Sequence, residues 1–286
     1  MIIRENIVDV EEYRLEEILN NKEVDCKPEE SIYFDLEHYV YKKPKCIGVF
    51  GACVYNKKNK KINVTQYMIE NKSEVVDILL LAKKYFIKMK REGKKVIVTF
   101  AGNNDFTVIK YLFKKYGIYF DFEKEFKSID IQKEYEKDMK ISIGLKNLEK
   151  IFEVYREGDV ISGSNLAKTF HKVLKDKEYI QRMPKEKIET ILQYNEQDVV
   201  NLYKIFINWK NYIKTEEDTK ENDDVDEIKE IKTEQIINDI KEIDNEKNIE
   251  DVKKEQENNA NDNIIIIEDN GQQEENKEID NSETII

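Results

Sequence analysis

The sequence is poor in cysteine, proline and glycine, and it contains no long hydrophobic run. Its 286 residues include three Cys, three Pro and nine Gly, which excludes a disulfide framework and argues against collagen-like or proline-rich chains. No apolar stretch approaches the ~18 residues of a membrane-spanning helix, and no basic segment followed by an apolar one begins the chain. These absences predict a cytoplasmic protein that does not enter a membrane.

Charge divides the sequence into two unequal parts. The chain has a formal net charge of −12, but residues 214–286 hold nine Lys and 26 acidic residues, which leaves residues 1–213 at +5. Residues 214–286 also lack Phe, Trp, Tyr, Leu and Met, so they bury too little apolar surface to offset the entropy of ordering them. We predict an N-terminal extension over 1–30, a folded domain over 31–213 and an acidic, mostly disordered tail over 214–286.

Two patterns in the acidic tail offer contacts for a protein partner. Val and Ile recur every three to five residues from Val225 to Ile243, which is a weak amphipathic-helix pattern. Residues 264–267 are four consecutive Ile, a β-prone run that could add to the sheet edge of a partner. The alternative is a solvated tail without a partner, and the composition favours it.

The folded domain alternates between strand and helix patterns. Strands are predicted over 31–37, 46–55, 61–69, 96–100 and 126–131, and helices over 73–91, 105–116, 145–152, 165–174 and 185–209. Three strands followed by alternating helices and strands, and then by helices alone, predict an α/β fold with a mixed five-stranded sheet flanked by helices.

Two acids share one face of the first predicted strand. Asp35 and Glu37 are two residues apart, so both point to one side while Phe34 and Leu36 point to the other. On a central strand such a pair loses hydration and needs a cation or a proton to neutralise it. The alternative is an edge strand whose acids face water.

Two further acids occupy informative positions. Asp105 opens a helix just past the carboxyl end of a strand, where α/β sheets place ligands; the alternative is an acid that favours the helix dipole, with Asn104 as the cap. Asp198 lies inside the apolar stripe of its helix, together with Tyr194, Ile191, Leu202, Ile205 and Trp209. A buried, unpaired Asp costs several kcal/mol, so this position indicates ligation or pairing.

Acids from three separate segments can converge at one edge of the sheet. Asp35, Glu37, Asp105 and Asp198 are the hard oxygen ligands that two Mg²⁺ or Mn²⁺ ions prefer. Two such ions ~4 Å apart stabilise the attacking and leaving oxygens in phosphodiester hydrolysis. The pattern therefore predicts a two-metal site for a phosphodiester substrate.

Three segments resemble the exonuclease motifs of the DEDD group in the ribonuclease-H-like superfamily: YFDLE (33–37), VTFAGNNDF (98–106) and YNEQD (194–198). The connecting segments SIDIQKEY (128–135), SIGLKNLEKIF (142–152) and ISGSNLAKTF (161–170) resemble the YprB-type predicted exonuclease branch. The resemblance covers about residues 31–212. It implies a ribonuclease-H-like fold and metal-dependent 3′→5′ exonuclease activity on DNA or RNA.

The resemblance also implies a role for each motif residue. Asp35 would bridge two metal ions, Glu37 and Asp198 would serve the ion that activates water, and Asp105 would serve the other. Tyr194, four residues before the last Asp, matches the tyrosine subtype and would hydrogen-bond the attacking water. The sequence departs from the group at position 104, where an aromatic residue is frequent and Asn stands here.

A binding module is the alternative to an enzyme. Such a domain would keep the fold, hold metal poorly, and dock nucleic acid or a protein partner.

His38 follows Glu37 and so points to the opposite strand face, away from the predicted metal site.

Overall fold

The computed structural model describes residues 1–158 and 161–214, which belong to the compact unit Met1–Asp223. The predicted acidic tail, with its helix pattern and its run of Ile, lies outside the described residues apart from Lys214. No helix among the residues described is both long and apolar enough to cross a membrane.

A six-stranded mixed sheet forms the centre of the fold, in the order β1-β4-β3-β2-β5-β6. Its strands are β1 (Ile2–Asp9), β2 (Ser31–Tyr41), β3 (Lys43–Asn56), β4 (Lys61–Met68), β5 (Val96–Thr99) and β6 (Lys127–Asp130). The pairs β1–β4, β4–β3 and β3–β2 are antiparallel, whereas β2–β5 and β5–β6 are parallel. The predicted α/β fold is confirmed, but the predicted count of five strands is corrected to six, because β1 from the predicted N-terminal extension pairs with β4.

Eight helices are found among the residues described. They are α1 (Val75–Arg91), α2 (Asn103–Lys115), α3 (Phe122–Glu125), α4 (Ile131–Met139), α5 (Leu145–Ile151), α6 (Gly163–Lys175), α7 (Lys185–Ile207) and α8 (Trp209–Tyr212). α2 begins two residues earlier than predicted, so Asn104 lies within the helix and does not cap it.

The alternation of β2 assigns its two faces to different helices. Phe34 packs against Phe86 of α1 and Phe106 of α2, whereas Tyr33 packs edge-on against Tyr203 and Phe206 of α7. Odd-numbered residues at the start of β2 therefore face α7. This parity directs the carboxylates of β2 toward the last long helix.

Candidate metal centre

Two neighbouring acids of β2 meet a third acid, distant in sequence, on α7. Asp35, Glu37 and Asp198 each offer a carboxylate oxygen within 4.8 Å of the others. Asp198 is 4% exposed and Glu37 is 9% exposed. The first two share one face of β2, and the third lies on the apolar side of α7 that packs against the sheet. A cluster of negative charge therefore lies largely out of contact with water.

A chain of amide hydrogen bonds orients Asp35. Asn195 Nδ2 donates to Asp35 Oδ2 at 3.2 Å, and Gln66 Nε2 donates to Asn195 Oδ1 at 2.9 Å. Gln66 Nε2 also donates to the carbonyl of Leu192 at 2.8 Å, which fixes its own direction. This relay needs Gly51, the residue paired with Asp35 on β3, because a Cβ there would lie 2.1 Å from Asn195 Oδ1.

Asp105 lies on the first turn of α2, a helix that packs against the Phe34 face of β2. The preceding loop is held by Asp130 at the end of β6, whose carboxylate accepts from the backbone N–H groups of Ala101 and Gly102 at 3.0 and 3.1 Å. Gly102 is required by a close approach, since a Cβ would lie 2.0 Å from Thr99 Oγ1. Asp105 is buried but lies outside the group of three mutually close carboxylates.

The predicted remoteness of His38 is corrected by the structure. His38 Nε2 lies 3.9 Å from Asp105 Oδ1, and burial lowers the pKa of this imidazole. The reason is that α2, which carries Asp105, packs on the Phe34 face of β2. His38 was predicted to point to this same face, and there it lies near Asp105. His38 therefore belongs to the surroundings of Asp105.

A buried arginine contacts the third acid of the cluster. Arg156 follows α5, and its Nε and Nη2 donate to the two oxygens of Glu149 at 2.7 and 2.6 Å. Its Nη2 also donates to Asp198 Oδ1. Asn201 of α7 donates to Glu149 Oε1 at 2.9 Å. The guanidinium thereby connects the segment after α5 to Asp198, on the side of α7 that packs against the sheet.

Tyr194 lies one helical turn before Asp198, beside two cations. Arg156 Cζ lies 5.0 Å and Lys146 Nζ 5.3 Å from the centre of its ring, both within the range of cation–π attraction. Lys146 Nζ also donates to the carbonyl of Ile161 at 3.2 Å. Burial, followed by the charges of Asp198 and Glu37, raises the pKa of the Tyr194 phenol. Tyr194 therefore keeps its proton at neutral pH.

Loss of hydration dominates the electrostatics of the acids. Burial raises the pKa of Asp35 to about 6, against the opposing hydrogen bond from Asn195. Burial and the neighbouring carboxylates raise the pKa values of Glu37, Asp105 and Asp198 well above the usual range. Full ionisation of this cluster at neutral pH requires more positive charge than Arg156 supplies.

The donor set fits divalent cations. Carboxylate oxygens are the ligands that Mg²⁺ and Mn²⁺ prefer, and the three that lie within 4.8 Å of one another come from two rigid elements. No cysteine belongs to this group of ligands: Cys26, Cys46 and Cys53 are free and buried. The ionised acids repel one another. A bound cation would attract each of them and so offset that repulsion.

Several residues of the site are not identified by the sequence patterns. Asn195 lies about 60° around α7 from Asp198. A slightly wider definition of the apolar stripe on this helix would have included Asn195. Glu149, Arg156 and Lys146 offer no such signal, because their importance depends on how the segment around α5 packs against α7. Charged residues in a chain that is 38% charged do not stand out individually.

Comparison with known proteins agrees with this geometry. A family model described as RNase_H superfamily matches residues 32–210, and proteins of that superfamily are commonly nucleases that use divalent metals. No curated protein matches the chain. The matched range holds Asp35, Glu37, Asp105, Tyr194 and Asp198. Because it spans more than half of the sequence, the protein belongs to the RNase H superfamily.

Proposed function

We propose that the protein is a metal-dependent 3′→5′ exonuclease of the DEDD group, tyrosine subtype, which acts on DNA or RNA. The observation that supports this most directly is the meeting of Asp35 and Glu37 of β2 with Asp198 of α7, together with Tyr194 one turn before Asp198. Asp105 completes the four acids that the resemblance requires.

The four acids would hold two Mg²⁺ or Mn²⁺ ions. Such ions, when bound, supply Lewis-acid stabilisation of the oxygens that carry charge during phosphodiester hydrolysis. Asp35, fixed by Asn195, would be a ligand together with Glu37 and Asp198, and Asp105 would add the fourth carboxylate. Rigid placement of these carboxylates reduces the reorganisation that ion binding requires.

Tyr194 would orient the attacking water. Its phenol keeps its proton, so it acts as a hydrogen-bonding group and not as a strong base. The oxygen of that water forms a bond to phosphorus while the bond to the 3′ oxygen of the preceding nucleotide breaks. The products are a nucleoside 5′-monophosphate and a strand shortened by one nucleotide with a new 3′ hydroxyl.

A cleft between α6 and α7 offers a path for the strand. It encloses about 640 Å³ and is lined by Lys168, Lys172 and Lys187 over apolar side chains that include Tyr179 and Ile191. Cations attract phosphates, and an aromatic ring offers a surface on which a base can stack.

The same face of α7 continues from the cleft to the acids. Lys187, Ile191, Tyr194 and Asp198 fall within about 60° of one another around the helix. Ile161, which also lines the cleft, is joined to Tyr194 through Lys146. A strand that follows this face would reach the proposed metal centre.

Degradation of an end-labelled oligonucleotide tests the proposed activity. The full chain with Mg²⁺ or Mn²⁺ is expected to release mononucleotides stepwise from the 3′ end, and Asp35→Asn and Asp198→Asn are expected to abolish release. Asp77→Asn changes an exposed Asp of α1 and is expected to leave the rate unchanged.

Calorimetric titration with Mn²⁺ separates the enzyme from a binding module. The enzyme is expected to show saturable binding that Asp35→Asn weakens. Absence of both nucleotide release and saturable Mn²⁺ binding would contradict the proposal and favour a module that only docks nucleic acid or, through the acidic tail, a protein partner.

A further inference from the structure

The buried cation beside the acids is absent from the motifs on which the proposed function is based. Arg156 has a side chain that is 9% exposed, and Glu149, its main partner, has one that is 3% exposed. A fully buried ion pair contributes little net stability, because desolvation offsets its attraction. Its position against two residues of the proposed active site therefore calls for a functional account.

The guanidinium contacts both functional groups of α7. Nη2 donates to Asp198, and Cζ lies 5.0 Å from the centre of the ring of Tyr194. Glu149 holds the guanidinium through two hydrogen bonds, and Asn201 holds Glu149 in turn. One rigid unit thus sets the direction of the carboxylate and of the aromatic ring.

One donor of this unit is left without an acceptor in the described part of the chain. Nη1 of Arg156 is buried and has no hydrogen-bond partner among residues 1–158 and 161–214. Buried polar groups are nearly always hydrogen-bonded, and an unsatisfied charged donor is especially costly. An oxygen of a bound substrate would satisfy it, and a phosphate oxygen matches guanidinium geometry well.

We propose that Arg156, held by Glu149, fixes Asp198 and Tyr194 in their working orientation and donates from Nη1 to a non-bridging oxygen of the scissile phosphate. This inference rests on the proposed function and adds a residue to it. Negative charge on that oxygen grows as water attacks, so the hydrogen bond strengthens in the transition state. The role therefore belongs to the rate of the reaction more than to substrate affinity.

The same geometry makes an unusual prediction for metal affinity. The guanidinium repels any cation that shares Asp198 with it. Replacing Arg156 by a neutral residue removes that repulsion, although it also frees the carboxylate. Arg156→Gln is therefore expected to bind Mn²⁺ at least as tightly as the wild type while releasing nucleotides about 10- to 100-fold more slowly, with a smaller change in KM than in kcat.

Two further variants sharpen the test. Arg156→Lys keeps the charge but not the planar fork, so its Mn²⁺ affinity should match that of the wild type while kcat stays low. Arg182→Gln removes an arginine that pairs with Asp176 and Glu178 at the surface, and it should change neither quantity. Thermal melting in EDTA establishes that each variant is folded.

The outcomes distinguish the possible failures. A kcat of Arg156→Gln within threefold of the wild type would overturn the inference. So would a parallel fall in kcat, Mn²⁺ affinity and melting temperature, since that pattern indicates a structural role only. If the wild type itself releases no nucleotide, the proposed function fails, and weaker Mn²⁺ binding by Arg156→Gln would separately refute the expected repulsion.

Discussion

Asp35 illustrates at the scale of one residue how the site depends on charge compensation. Its pKa is raised to about 6 by burial, and Glu37, Asp105 and Asp198 are displaced in the same direction. A carboxyl whose pKa is higher in the folded than in the unfolded protein stabilises the fold below its unfolded pKa of about 4. That stabilisation is lost as the pH rises through the folded pKa.

The free energy of unfolding should therefore fall with rising pH when metal is absent. In EDTA we expect it to decrease between about pH 4 and pH 6 for Asp35, and to keep falling at higher pH for the three other acids. Asp35→Asn removes one buried charge without changing shape, so at pH 8 its melting temperature should exceed that of the wild type by several degrees. Urea unfolding at pH 5 and pH 8 measures the free energy of unfolding, and thermal unfolding at pH 8 compares the two melting temperatures.

Added Mn²⁺ should reverse that order at pH 8. Ions bound by the wild type would stabilise the folded state, whereas Asp35→Asn is expected to bind them less well. The opposite result in EDTA at pH 8, with Asp35→Asn less stable than the wild type, would contradict the prediction. It would show that Arg156 and Asn195 already compensate the charge of Asp35 in full.

Tyr194 gives a second prediction at this scale. Tyr194→Phe keeps the ring beside Lys146 and Arg156 but removes the hydroxyl that we propose orients water. We expect kcat to fall about 10- to 100-fold with Mn²⁺ affinity unchanged. Tyr119→Phe is the control, because Tyr119 is 80% exposed. An unaltered kcat in Tyr194→Phe would remove this residue from the mechanism.

At the scale of elements, the close approach of α7 to β3 determines where Asp35 points. Gly51→Ala would place a methyl group 2.1 Å from Asn195 Oδ1, and Asn195 is held on both sides by Gln66 and Asp35. Either α7 or the amide must move, so we expect lower melting temperature and weaker Mn²⁺ binding. Gly163→Ala at the start of α6 has open space around it and should be neutral.

Some of these elements were predictable from periodicity and others were not. The two-residue alternation of β2 and the apolar stripe of α7 predict that Asp35, Glu37 and Asp198 face one another, because each pattern is local. β1 was missed because it is an edge strand: Ile3 and Ile7 are 59% and 60% exposed, so its sequence shows no apolar-inward alternation. Arg156 was missed because only tertiary packing brings it to Asp198.

At the scale of the whole molecule, net charge and its placement have different consequences. Residues 1–213 carry only +5, which gives weak general attraction to nucleic acid. Three lysines gathered at one cleft, with Glu186 as the acid beside them, concentrate that attraction next to the face of α7 that carries Tyr194 and Asp198. We therefore expect the placement of these charges to affect nucleic-acid binding more than the total charge does.

Neutralising the cleft should change the salt dependence of binding. Each phosphate contact on a single strand contributes about −0.7 to the slope of log K against log salt. In an Asp35→Asn background, which prevents degradation, Lys168→Gln, Lys172→Gln and Lys187→Gln combined should reduce the magnitude of the slope by about 2. Lys84→Gln, Lys88→Gln and Lys114→Gln remove the same charge from exposed positions on α1 and α2 and should leave it nearly unchanged. Equal effects of the two triple variants would mean that the strand responds to total charge, and the path along α6 and α7 would then be wrong.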